Sequence, residues 1–297
     1  MKNPYFGRVL TAMVTPFAAD GSVNLEAAKQ LVEWWIAPGT DALVVTGSTG
    51  EAATMTIEEK KALWATVLKQ VNGRIPVIAG TGSNNTANSV ETTKIADEIG
   101  VDGFLIVGPY YNKPTQEGYY QHFKAISECT KKPIILYNVP GRTAANIPPA
   151  TVARIAKDFK NVVAIKEAAG NVAQVAELFR ILPGDFTIYS GDDGLLLPFA
   201  SVGATGVVSV LANIGGEILQ DLMNAYESGD VKKAAEINKK MVPLANAMFI
   251  ETNPIPVKAA VTLVTGIDAG APRLPLTPMT EGAKEKMKGI LAAGGLL

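Results

Sequence analysis

One lysine, Lys166, closes the apolar run VVAIK and is followed at once by the polar string EAAGN. Strand alternation sets Val162, Ala164 and Lys166 on one face. If both faces of that strand are covered, the amine projects into a water-poor interior, where desolvation disfavours the ammonium form and lowers the pKa. A fall of about 3 pH units costs roughly 4 kcal/mol and leaves a neutral amine near pH 7. A neutral amine attacks a ketone carbonyl; an ammonium cannot. The competing reading is an ion pair with Glu167 or Asp192, which would leave Lys166 charged and structural.

Other reactive groups gather in short polar strings. TGSTGE (Thr46 to Glu51) offers the hydroxyls of Ser48 and Thr49 and glycine N–H groups able to hold an anion. It lacks the lysine of a P-loop, which argues against a nucleotide. A Ser/Thr followed by Glu51 is also what simple helix capping requires. Tyr110, Tyr111 and Tyr137 supply phenols, as catalysts or as walls. Arg142, five residues beyond Tyr137, suits bidentate capture of a carboxylate, although a surface loop arginine would look the same. Gly191 is the second residue of the SGDD string (Ser190 to Asp193), in which Asp192 and Asp193 read as loop caps rather than ligands. The chain has one histidine and one cysteine, so a His/Cys zinc cluster is impossible and a Ser-His-Asp triad would have to use His122. His122 lies in EGYYQHFKAI, which reads as the outer surface of a helix. Proton traffic then falls to Tyr, Ser, Thr, Lys or carboxylates.

These strings need a scaffold, and the pattern around them supplies one. Apolar, β-rich runs recur as VLTAMVTPF, DALVVTG, PVIAGTG, GFLIVGP, PIILYNV, VVAIKEA, FTIYSG and GVVSVL, separated by segments with helical spacing. Eight such alternations predict an α/β fold, a closed (β/α)8 TIM barrel, with an open doubly wound sheet as the alternative. In a barrel the site lies at the C-terminal ends of the strands, where every string above falls. Residues 1–224 are expected to form the catalytic barrel and 225–297 a C-terminal helical extension.

Composition narrows the partners. Lys plus Arg (27) nearly cancels Asp plus Glu (28), for a formal charge of -1. That balance predicts neither a nucleic-acid nor a membrane partner, though small anions need only a local cation. Cys129 alone can form no intrachain disulfide, MKNPYFGRVL lacks a leader's apolar core, and no apolar run is long enough to span a bilayer. The expectation is a cytoplasmic protein.

Taken together, GPYYNKPTQEG, YNVPGRT and IKEAAGN resemble the dihydrodipicolinate synthase and N-acetylneuraminate lyase family, over almost the whole chain. YNVPGRT is similar to the synthase branch, whose arginine at the position of Arg142 recognises the carboxylate of aspartate semialdehyde. The resemblance implies a Schiff-base (class I) aldolase in diaminopimelate and lysine biosynthesis. Lys166 would condense with pyruvate, with no cofactor or metal. Tyr137 would shuttle the proton beside the imine, and Thr49 or Ser48 would link it to a Tyr111 entering from a neighbouring subunit of a homotetramer, a dimer of dimers. Thr49 and the N–H groups around Ser48 would hold the pyruvate carboxylate, with Gly191 and Val208 completing the substrate-binding set. Two departures stand out. Ser48 replaces a common threonine, which leaves open a sister aldolase or lyase acting on N-acetylneuraminate or a 2-keto-3-deoxy sugar acid. Asn88 replaces the carboxylate that lysine-inhibited members use, though Asn84 and Tyr110 are kept, so weak or absent inhibition by lysine is expected. A catalytically silent keto-acid-binding barrel is the remaining alternative.

Overall fold

A computed structural model describes residues 4–37 and 39–297; the first three residues of the stretch inspected for a leader lie outside them. The apolar runs form β1 (Val9–Ala12), β2 (Ala42–Val45), β3 (Val77–Gly80), β4 (Gly103–Val107), β5 (Ile134–Asn138), β6 (Val162–Glu167), β7 (Thr187–Ser190) and β8 (Gly206–Ser209). Each pairs in parallel with the next, and β8 pairs with β1, so the sheet closes into the expected barrel. The helices are α1 (Leu25–Ile36), α2 (Ile57–Val71), α3 (Thr86–Ile99), α4 (Gln116–Glu128), α5 (Pro140–Thr143), α6 (Pro149–Asp158), α7 (Val172–Ile181), α8 (Leu196–Ala200), α9 (Ala212–Glu227), α10 (Val231–Ala247), α11 (Ile255–Thr265) and α12 (Glu281–Ala293). Polar residues after the strands start several of them: Asn85, Thr115 and Asn171 cap α3, α4 and α7, and Thr56 with Glu59 forms a capping box on α2.

Both faces of the strands are buried. Leu10, Val44, Ile78, Ile135 and Val208 fill the interior, while Val9, Leu43, Val77, Leu136 and Val207 meet the helices outside. This is why the strands read as unbroken apolar runs. Strand β6 departs from simple alternation. Its register with β5 jumps from Ile134 opposite Val162 to Ile135 opposite Ala164, leaving Val163 as an extra residue. Val162 therefore packs in the outer layer, and only Ala164 shares the interior with Lys166. The expectation that all three share a face is corrected by this bulge.

Helix α9 runs to Glu227, and α10 to α12 follow it. Met241 and Leu244 of α10 and Met287 and Leu291 of α12 join the same outer hydrophobic layer. A second correction concerns His122. It is 3% exposed, with Nδ1 2.9 Å from Thr86 Oγ1, and burial lowers its pKa to about 4. It is a neutral residue packed between α3 and α4, not a surface group. Among the described residues, no helix is long and apolar enough to cross a membrane.

Candidate active site

Lys166 stands near the C-terminal end of β6, pointing inward and 6% exposed. Strand register places Tyr137 of β5 directly beside it, and Lys166 Nζ lies 4.4 Å from the centre of the Tyr137 ring. Burial lowers the amine's pKa to about 8; the Asp193 carboxylate pulls it back up and the Arg142 guanidinium pushes it further down. At pH 7 roughly one amine in ten is then neutral, against about one in 3,000 for an ordinary lysine. The amine is thus poised rather than fully uncharged. Neither proposed ion-pair partner holds it. Glu167, in the opposite phase, accepts from Asn138 Nδ2 at 3.0 Å, Ala169 N at 2.7 Å and Gln174 Nε2 at 3.0 Å. Asp192 accepts from Gly194 N at 2.9 Å. Asp193 is a cap as well, but a buried one: its Oδ2 takes the N–H groups of Val210 and Leu211, each at 3.0 Å.

Burial pushes the Tyr137 phenol up to about 12, against the lowering effect of Arg142, so it remains a proton donor at neutral pH. Above the lysine, the TGSTGE turn leaves β2 with Thr46 in a left-handed conformation (φ 56°). Trp64 Nε1 donates to Thr46 Oγ1 at 2.9 Å, and Thr46 Oγ1 donates to the Gly80 carbonyl. A Cβ on Gly80 would sit 2.3 Å from the Thr46 carbonyl oxygen, so only glycine lets β3 pass this close. Thr49 is buried and accepts from Asn253 Nδ2 at 3.0 Å, whereas Ser48 is exposed. Arg142 lies on a single helical turn, α5, started by Pro140, and its Nη2 donates to the Asn253 carbonyl at 3.1 Å. Gly191 N donates to the Glu167 carbonyl at 2.7 Å, and a Cβ there would be 2.5 Å from Ala168 Cβ.

These residues surround a cavity of about 280 Å³ walled by Ser48, Thr49, Tyr137, Arg142, Lys166 and Gly191. Val208 is buried lower in the barrel, and Val210 lines the cavity in its place. A second cavity, about 590 Å³, shares Ser48, Tyr137, Arg142 and Asn253 and carries Lys60, Ser83 and Asn88. Tyr111 is absent from both walls: it is 89% exposed on a strained tip with φ 71°. The sequence reading missed the contribution of the extension. Ala245, Asn246, Phe249 and Asn253 all line the smaller cavity. An asparagine before proline at a helix start was visible, but nothing local tied it to Thr49, 204 residues away. Among the described residues, no group of three or more His, Cys, Asp or Glu could hold a metal. The arrangement is suited to imine chemistry: a buried amine, a neighbouring phenol, hydroxyls and one cation.

Residues 5–294 match the model of the Dihydrodipicolinate synthetase family. The chain is 52% identical over 291 residues to a 4-hydroxy-tetrahydrodipicolinate synthase of Desulforamulus reducens, covering 98% of both chains. Its fold superposes on a dihydrodipicolinate synthase from Bacillus anthracis with a TM-score of 0.95 at 46% identity, covering 98% of this chain and 99% of the other. It superposes on that of Cyanidioschyzon merolae, solved with lysine bound, with a TM-score of 0.97 at 42% identity, covering 99% and 100%.

The buried amine has a kinetic signature. With pyruvate and cyanoborohydride, the initial rate of covalent trapping should climb with pH with a midpoint near 8 and vanish in Lys166→Ala. A midpoint in the range of an exposed lysine would show the amine to be fully solvated.

Proposed function

The chain belongs to the dihydrodipicolinate synthetase family, and we propose that it condenses pyruvate with L-aspartate 4-semialdehyde to give 4-hydroxy-tetrahydrodipicolinate, through an imine on Lys166. The observation that carries the mechanism is the inward, desolvated Lys166 beside Tyr137. Neutral Lys166 Nζ attacks the pyruvate ketone carbon, and the Tyr137 phenol protonates the departing hydroxyl as water leaves. The resulting phenolate takes a proton from the pyruvate methyl group, and the imine nitrogen draws in the electron pair to give an enamine. That carbon adds to the aldehyde, whose oxygen is protonated. The amine of the adduct then attacks the imine carbon, and cyclisation expels Lys166. The imine is the electron sink, so the step calls for no metal or cofactor.

Thr49 and the backbone N–H groups around Ser48 hold the pyruvate carboxylate, and the Thr49 hydroxyl, fixed by Asn253, passes protons to Tyr137. Gly191 keeps the β7 loop close to the lysine. Arg142, at the cavity wall, takes the semialdehyde carboxylate. That cation supports the synthase reading over a sugar-acid lyase, and the names of the relatives lend nothing to the lyase or the silent barrel. A large aromatic left 89% exposed supports assembly: the partner subunit's Tyr111 completes the relay, in a homotetramer built as a dimer of dimers. A reaction drawing on pyruvate fits a cytoplasmic location.

Arg142→Ala should lower kcat/KM for aspartate semialdehyde by about 100-fold, the usual scale for losing one partner of a desolvated charge pair. Pyruvate trapping should persist. Unchanged turnover of the semialdehyde would remove the support for the synthase reading. Regulation follows from the second cavity, where Asn88 offers no charge and Lys60 repels a cationic ligand. Half-inhibition by lysine should need more than about 1 mM, a few kcal/mol weaker than a charge-paired site. Sub-millimolar inhibition would overturn this.

A further inference from the structure

The turn that carries Ser48 and Thr49 is gripped from the far end of the chain. Glu51, its last residue, is buried and left-handed (φ 54°), a conformation that non-glycine residues rarely hold. Its Oε1 accepts from Lys258 Nζ at 2.9 Å, and its Oε2 accepts from the Arg273 backbone N–H at 2.9 Å. Lys258, on α11, is itself fully buried, donates to the Ala271 carbonyl at 3.2 Å and lies 4.1 Å from the centre of the Phe17 ring. The Arg273 guanidinium covers the same ring at 4.2 Å and pairs with Glu59 of the α2 capping box. Five residues before Lys258, Asn253 holds Thr49 by its side chain and Arg142 by its carbonyl. One stretch of the extension thus fixes the turn at both Thr49 and Glu51.

Packing alone does not call for charges here. Apolar side chains of similar volume generally stabilise a buried site as well as an ion pair or better. What a charged pair adds is direction, because few geometries satisfy both groups and their remaining hydrogen bonds. We propose that Glu51 and Lys258 are positioning residues for the keto acid: their ion pair orients the Ser48–Thr49 backbone that receives the pyruvate carboxylate. The pair touches no reacting atom and acts through the turn. This rests on the pyruvate reading above.

The test compares the parent with Glu51→Leu/Lys258→Met, which replaces both charges together and leaves neither buried alone, and with Glu51→Gln, which keeps shape and removes the charge. Pyruvate KM should rise by about tenfold or more in both, the scale expected for a displacement of a fraction of an ångström in a positioning group. The KM for the semialdehyde should stay within about twofold. Because KM does not depend on how much of a preparation is folded, a poor yield leaves the comparison intact, and Glu51→Gln decides alone if the double variant yields nothing. A pyruvate KM within about twofold of the parent's, whatever happens to the melting temperature, would reduce the pair to a structural bolt. If the parent itself traps no pyruvate, the functional reading falls instead.

Discussion

The structure is organised around the desolvation of one amine. Lowering Lys166 from 10.5 to about 8 corresponds to roughly 3 kcal/mol of penalty on its charged form, a substantial fraction of the net stability of a typical domain. The penalty arises because Lys166 is buried at the end of a barrel interior packed with apolar side chains such as Ala164, Ile135 and Leu105. The same field sets the partner's state: burial that frees the lysine keeps the Tyr137 phenol protonated. Asp193 and Arg142 act on the amine in opposite senses, which holds it within reach of neutral pH.

The barrel supplies position through register. Tyr137 and Lys166 are neighbours because Ile135 pairs with Ala164 two residues earlier, and that alignment exists only because Val163 is squeezed out as a bulge. Were Val163 paired opposite Ile135 in regular register, the strand would present the other parity inward, and Lys166 would face the helices. The extension contributes the rest. Asn253, Lys258 and Arg273 reach back to Thr49 and Glu51, so helices remote in sequence complete a site whose reactive groups all lie on the barrel.

Much of this was legible in the residues. Short apolar runs ending in glycine and polar strings mark the strands and their functional ends, and Lys166, Tyr137, Thr49 and Arg142 all reach one cavity. The bulge was not legible, because no glycine or proline marks Val163 and its effect appears only when β5 is laid beside it. His122 escaped for a related reason: α4 packs against α3 on one side, and sequence spacing does not say which side. Val208 and Val210 share a parity, and only the depth of the barrel tells which meets the cavity. The reach of the extension was invisible because side chains about 200 residues apart carry no common pattern.

The most direct test is the titration of the lysine itself. With carbon-13 at the lysine ε-carbons and Lys166→Ala to assign the signal, NMR should give a midpoint near 8 in the ligand-free protein. A midpoint at 10.5, the ordinary lysine value, would contradict the account, because the interior would then impose no penalty on the ammonium.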